Sequence, residues 1–137
     1  VVVHPDQMLE TRRSRAVLAE PYPLHTVVEQ TSHLAQFLLG LQRGDAALIR
    51  DGLHDVLVEP RRAPLIPGFA QVKEAALANG ALGARISGGG PSVFAWCASQ
   101  AEADAAAPAM RGAFVEAGFE ARAYVTPVNA PRAEVLS

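Results

Sequence analysis

Apolar and polar positions follow two rhythms along this chain, and the switches between them predict its elements. Val1-Val2-Val3 is an apolar run ended by Pro5, the pattern of a short buried strand. Thr11 is placed to cap a short helix over Arg12 to Leu18, closed by Glu20-Pro21 and Pro23. From His25 to Leu41, the residues Val27, Val28, Leu34, Ala35, Leu38 and Leu41 keep helical spacing, making this the best amphipathic segment. Arg43-Gly44-Asp45 interrupts it. Ala46, Ile49, Leu53, Val56 and Leu57 then suggest a second helix, with Asp45 as N-cap and Gly52 as its weak point. On this reading the Arg-Gly-Asp triplet is a junction between helices and not an adhesion tripeptide.

Three prolines make Glu59 to Gly68 a loop. Phe69 to Ala78 returns to helical period and stops at Asn79-Gly80. Leu82 to Ser87 and Ser92 to Ala98 read as two strands joined only by Gly88-Gly89-Gly90-Pro91. Ser99 caps a last helix, Glu102 to Ala117, in which Pro108 predicts a kink or a late start. Phe119 to Thr126 is a final strand, and the tail after it is long enough to add an edge strand. The sum predicts an α+β fold, an open sandwich with a mostly antiparallel sheet and helices on one face.

The length, 137 residues, gives room for a single domain with one core. A composition 50% hydrophobic and 19% charged argues for packing and against disorder. Twelve basic and fourteen acidic side chains leave a net charge of −2, unlike a protein that neutralises nucleic-acid phosphates. The longest uncharged stretch, Ile86 to Ala101, holds glycines and a proline and falls short of the about 20 apolar residues of a membrane span. The opening residues do not resemble a signal peptide. One cysteine, Cys97, excludes an internal disulfide framework and a cysteine-based zinc site. These features predict a cytoplasmic protein with no membrane or nucleic-acid partner. The chain opens on a core-like strand without an initiator methionine, so one half of a larger protein is expected.

The chemistry concentrates at Ser87-Gly88-Gly89-Gly90-Pro91-Ser92. Three consecutive glycines remove every Cβ, so backbone N–H groups can turn toward phosphate or carboxylate oxygens. The corner leads into a strand, not a helix, and lacks the lysine of a Walker loop, so neither nucleotide fingerprint applies. A hairpin turn without a ligand is the alternative. Thr11 and Arg15 stand four apart on one helix face, and Arg61 and Arg62 sit in the proline-rich loop. Brought together, a hydroxyl and two guanidinium groups would clamp a small carboxylate; otherwise these are solvated surface arginines. His4, His25, His33 and His54 show no ligand spacing, Cys97 reads as an inert core thiol, and no serine has an activating neighbour.

Leu82 to Val93 resembles the third motif of the GHMP small-molecule kinases, in the form found among homoserine-phosphorylating members. That form reads roughly Gly-Ala-x-Ile-Ser-Gly-(Ser/Ala)-Gly-Pro-(Ser/Thr). Thr11 to Arg15 resembles the Thr-x-x-x-Arg segment of those members, and Glu59 to Phe69 resembles their Glu-Pro-x-Arg…Ile-Pro-Gly-Phe stretch. The matches run in order along nearly the whole chain. The resemblance implies a GHMP kinase C-terminal domain over residues 1–137 and transfer of a phosphoryl group from MgATP to the L-homoserine hydroxyl. It places Thr11, Arg15 and Arg62 at the homoserine site, the arginines on the α-carboxylate, and Ser87, Gly88, Gly89 and Gly90 beside the phosphates. Arg61 has no matching role and is expected at the surface. Gly89 stands where the family usually has Ser or Ala. The family's Pro-x-x-x-Gly-Leu-Gly-Ser-Ser loop and Mg²⁺ ligand are not in this sequence, so ATP and Mg²⁺ would be held mainly by an N-terminal half. The expectation is therefore no catalytic residue and no metal ligand in this fragment, no activity alone, and the N-terminal half as partner, with a homodimer also permitted. A free-standing amino-acid-binding regulatory module, or a GHMP kinase for another small molecule, are the competing readings.

Overall fold

Four short strands form one antiparallel sheet in the order β2-β3-β1-β4, with β1 Val2–Pro5, β2 Gly83–Ile86, β3 Val93–Trp96 and β4 Ala121–Tyr124. The structure is a computed structural model that describes residues 1–130. The first strand lies inside the sheet because Val3 pairs with both Val93 and Ala123. Pro5, which cannot donate to a ladder, comes last in its strand. The glycine-rich corner joins β2 to β3 as a hairpin, as the sequence predicts. No strand follows Tyr124 up to Ala130, and the remaining part of the expected edge strand, 131–137, lies outside the described residues.

Side chains alternate across the sheet. Val3, Ala84, Val93, Ala95 and Ala121 join the core with Phe69, Val72 and Ala76 of α5 (Phe69–Ala78) and Ala106, Met110 and Phe114 of α6 (Gln100–Glu116). The small alanines on both sides let two helices lie close to the strands. Ser99 caps α6 in a full capping box with Glu102. The helix starts two residues earlier than expected, so the exposed Pro108 lies inside it and does not delay its start.

On the opposite face, Phe37 of α2 (Leu24–Arg43) meets Trp96 edge-on at 5.4 Å, and Leu53 packs where Gly83 has no side chain. Helices α2 and α3 (Ala46–Gly52) form a hairpin turned by Gly44, at φ +66°, and capped by Asp45, which accepts from the N–H groups of Ala47 and Leu48. Gly52 is not the weak point of a longer helix; it ends α3. A Cβ there would overlap the Phe37 backbone, and one on Gly40 would come within 2.7 Å of the Ile49 nitrogen. The two glycines let the helix backbones touch. The apolar stripe of α2 does not enter the core: Val28, Leu34 and Leu38 are all more than half exposed, and only Gly40 is buried. Among the described residues no helix is long and apolar enough to cross a membrane.

Two further differences concern the segments that carry the candidate chemistry. The first helix, α1, spans Thr11–Ala16 and starts at Thr11, with Glu10 at the N-cap position making no side-chain cap bond. Glu59 to Leu65 is not a loop but a turn of helix, α4 (Glu59–Arg62), followed by a 3-10 turn. Proline at the start of a helix loses no hydrogen bond, so Pro60 and Pro64 are compatible with these turns. The Asp55 carboxylate receives the N–H groups of Leu57 and Val58 just ahead of α4.

Candidate substrate and phosphate site

Arg62 is the centre of the candidate site. At the end of α4, its Nε donates to the Ser14 carbonyl at 3.1 Å and its Nη1 to the Gly88 carbonyl at 2.9 Å. Ser14, on α1 and 2% exposed, donates its hydroxyl to the Gly89 carbonyl at 2.7 Å. Three distant segments thus meet: α1, α4 and the glycine corner. A guanidinium has five N–H donors, so Arg62 keeps three for a ligand after making these two bonds.

The corner itself is closed by Ser87 N–H to the Ser92 carbonyl (2.8 Å) and Gly90 N–H to the Ser87 carbonyl (3.0 Å). Gly88 and Gly90 have φ of +58° and +79°, which only glycine adopts without strain. Gly90 is also crowded: a Cβ would lie 2.8 Å from Ile66 Cδ1. At Gly89 a Cβ would meet only the Ser14 hydroxyl at 3.5 Å, an ordinary contact, so the small side chain usual in the family would fit there. No hydrogen bond among the described residues uses the Gly88 or Gly89 N–H, and both glycines are exposed. The corner therefore offers two free backbone donors to an anion.

Of the residues singled out in the sequence, the structure joins Arg62 to Gly88 directly and to Gly89 through Ser14. Ser87 and Gly90 shape the turn. Arg15 follows Ser14 in α1 and is exposed, as is Thr11; neither side chain makes a hydrogen bond among the described residues. Arg61, expected at the surface, bonds to no residue of the site. Its guanidinium lies 3.6 Å over the Tyr22 ring and donates to the carbonyls of Glu20 and Pro21, tying α4 to the segment after α1.

The sequence reading missed Ser14 and an ion cluster behind the site. Glu59, at the start of α4, accepts from Arg85 Nη1 at 3.1 Å and from the Lys73 ammonium. Arg85, on β2, is 7% exposed, a rare position for a guanidinium without a partner. A charge amid the apolar strand Leu82 to Ile86 was the available signal for Arg85. Ser14, one polar residue among exposed arginines, left none. No three His, Cys, Asp or Glu side chains among the described residues gather in a way that could hold a metal ion. Cys97 is half-buried, and burial pushes its thiol pKa up, with Glu102 adding to the shift.

Residues 37–116 match the family described as GHMP kinases C terminal. This chain belongs to that family. Its relatives include the homoserine kinase of Xanthomonas campestris pv. campestris, 58% identical over 137 residues, which are all of this chain and 42% of the relative. The homoserine kinase of Chlorobaculum tepidum is 43% identical over 99% of this chain and 43% of its own length. The crystal structure of homoserine kinase from Cytophaga hutchinsonii superposes with a TM-score of 0.90 at 38% identity, covering 93% of this chain and 40% of that one. The chain thus spans less than half the length of these relatives.

Proposed function

We propose that this chain is the C-terminal, substrate-side part of a homoserine kinase, a cytoplasmic enzyme on the route to threonine. It acts together with an N-terminal part that holds most of the ATP and the Mg²⁺. The observation that carries the reading is Arg62 bonded at once to the α1 turn bearing Arg15 and to the corner that bears two free N–H groups. The extended likeness to homoserine kinases favours this reading over a free-standing amino-acid-binding module.

In this reading Arg15 and the free edge of Arg62 bind the α-carboxylate of L-homoserine, with Thr11 at the rim of the same pocket. Bidentate pairing fixes the orientation of the amino acid as well as its position. The homoserine hydroxyl oxygen bonds to the γ-phosphorus, the bond from that phosphorus to the bridging oxygen breaks, ADP leaves, and the hydroxyl proton is released. Catalysis of such a transfer depends on positioning and on stabilising charge around the phosphoryl oxygens. The Gly88 and Gly89 N–H groups suit those oxygens. In this reading the general base and the Mg²⁺ ligands belong to the N-terminal part.

The test is ADP formation by the full-length protein with homoserine, mevalonate and shikimate offered in turn. Turnover with homoserine alone supports the proposal. Preference for either other substrate, or turnover by the 137-residue part by itself, overturns it.

A further inference from the structure

The carbonyls of the glycine corner are held from one side, and this fixes the direction of its amides. A peptide unit is planar and trans, so the N–H of each residue points opposite to the carbonyl before it. Arg62 Nη1 holds the Gly88 carbonyl, which turns the Gly89 N–H away from Arg62. Ser14 Oγ holds the next carbonyl, Gly89, which turns the Gly90 N–H into its bond with the Ser87 carbonyl. Three consecutive glycines have wide backbone freedom, and these two bonds add side-chain anchors for the Gly88 and Gly89 carbonyls to the backbone bonds that close the turn. Ser14 also accepts Arg62 Nε through its own carbonyl, so it touches both the clamp and the corner.

We propose that Ser14 is a positioning residue: its buried hydroxyl, acting with Arg62, locks the glycine corner so that the Gly89 N–H faces the phosphoryl group. This rests on the kinase reading above and adds a role for a residue that need not touch either substrate. Ser14 is almost fully buried, so its hydroxyl is shielded from solvent competition, while the Gly89 carbonyl it holds belongs to an otherwise exposed turn. Locking the corner in advance spares the cost of ordering it when the phosphate arrives. Because the same serine backbone holds Arg62, binding at the carboxylate clamp and order in the corner are mechanically joined.

The experiment compares Ser14→Ala and Ser14→Thr in the full-length protein, by steady-state kinetics and by hydrogen exchange of the corner amides with ADP and homoserine present. Ser14→Ala is expected to lower kcat at least tenfold with the homoserine KM within twofold, and to lose ligand-induced protection over Gly88 to Gly90. Ser14→Thr, which keeps a hydroxyl, is expected to retain most of both. A Ser14→Ala enzyme that melts earlier but keeps kcat and corner protection shows a structural role only and overturns the proposal. So does Ser14→Thr falling as far as Ser14→Ala while its melting point holds. Should Ser14→Ala not fold, Ser14→Cys, near in size but a weak donor, takes its place with the same expected losses. Wild-type protein that shows ligand-dependent corner protection but no homoserine-dependent ADP formation removes the homoserine kinase reading and leaves the corner lock standing.

Discussion

Replacing Glu59 by glutamine should unsettle this domain more than any surface change, and the cause lies in Arg85. The Arg85 side chain is 9% exposed and the Glu59 side chain 12%, whereas Lys73, the second partner, keeps 30%. Taking the charge from Glu59 leaves a guanidinium in the interior without its counterion. Breaking a buried pair in this way costs about 3–5 kcal/mol, while an exposed pair contributes about 0–1 kcal/mol. Glutamine keeps one acceptor oxygen, so the loss should fall near about 3 kcal/mol. This chain is 42% of the length of a homoserine kinase relative, and for a protein of that full length about 1 kcal/mol corresponds to roughly 2 °C, which predicts a midpoint about 6 °C lower. Thermal unfolding of the full-length protein, followed by circular dichroism, measures this. Lys73→Ala should cost less than about 2 °C in the same assay, since its charge already reaches water. A control separates lost attraction from stranded charge: Glu59→Leu with Arg85→Met replaces both partners by apolar groups and should recover most of the loss. If Glu59→Gln and Lys73→Ala shift the midpoint by the same small amount, or the double variant is no better than Glu59→Gln, the stranded-charge reasoning is wrong.

Arg62→Ala should lower kcat/KM for homoserine by about 2–4 kcal/mol, and Arg62→Lys should not restore it, because an ammonium cannot span both carbonyls; a homoserine KM within twofold of wild type removes Arg62 from the site. Gly90→Ala should cost about 3 kcal/mol, from its positive φ together with the clash on Ile66, whereas Gly88→Ala, in open space, should cost about 1 kcal/mol; equal unfolding midpoints for the two would contradict this. Cys97, with its pKa raised mainly by burial, carries less thiolate at pH 8 than a free cysteine. Its labelling by a disulfide reagent should therefore be slow when folded and keep rising with pH beyond the ordinary cysteine range, and equal rates in buffer and in urea would refute that.

Local signals carried the reading of the sheet. The apolar run at Val1, the paired strands around three glycines and the Ser99 cap each act within a few residues, and each sits in the fold where it was expected. The corner and Arg62 were legible for the same reason, since glycine runs and arginines announce their chemistry by type. What escaped depends on partners far along the chain. Whether Arg85 is buried turns on Glu59, 26 residues away, and whether Ser14 matters turns on Gly89, 75 residues away. The apolar spacing of α2 identified a helix but not its surroundings, and its leucines stand in the open. The prolines at 60 and 64 suggested a loop because a proline in first-turn position leaves the same mark in sequence as a breaker.

The single turn of α4 aims two neighbouring arginines in different directions, one onto Tyr22 and one into the glycine corner. Successive residues on a helix differ by about 100° in bearing. Inserting one residue between Glu59 and Arg62 would swing the second guanidinium through that angle and part it from both carbonyls at once. The Gly44 turn, where a Cβ would touch nothing within 4 Å, has no such constraint. Length variation among natural or engineered versions of this domain should therefore accumulate at the α2–α3 turn and be nearly absent between Glu59 and Arg62.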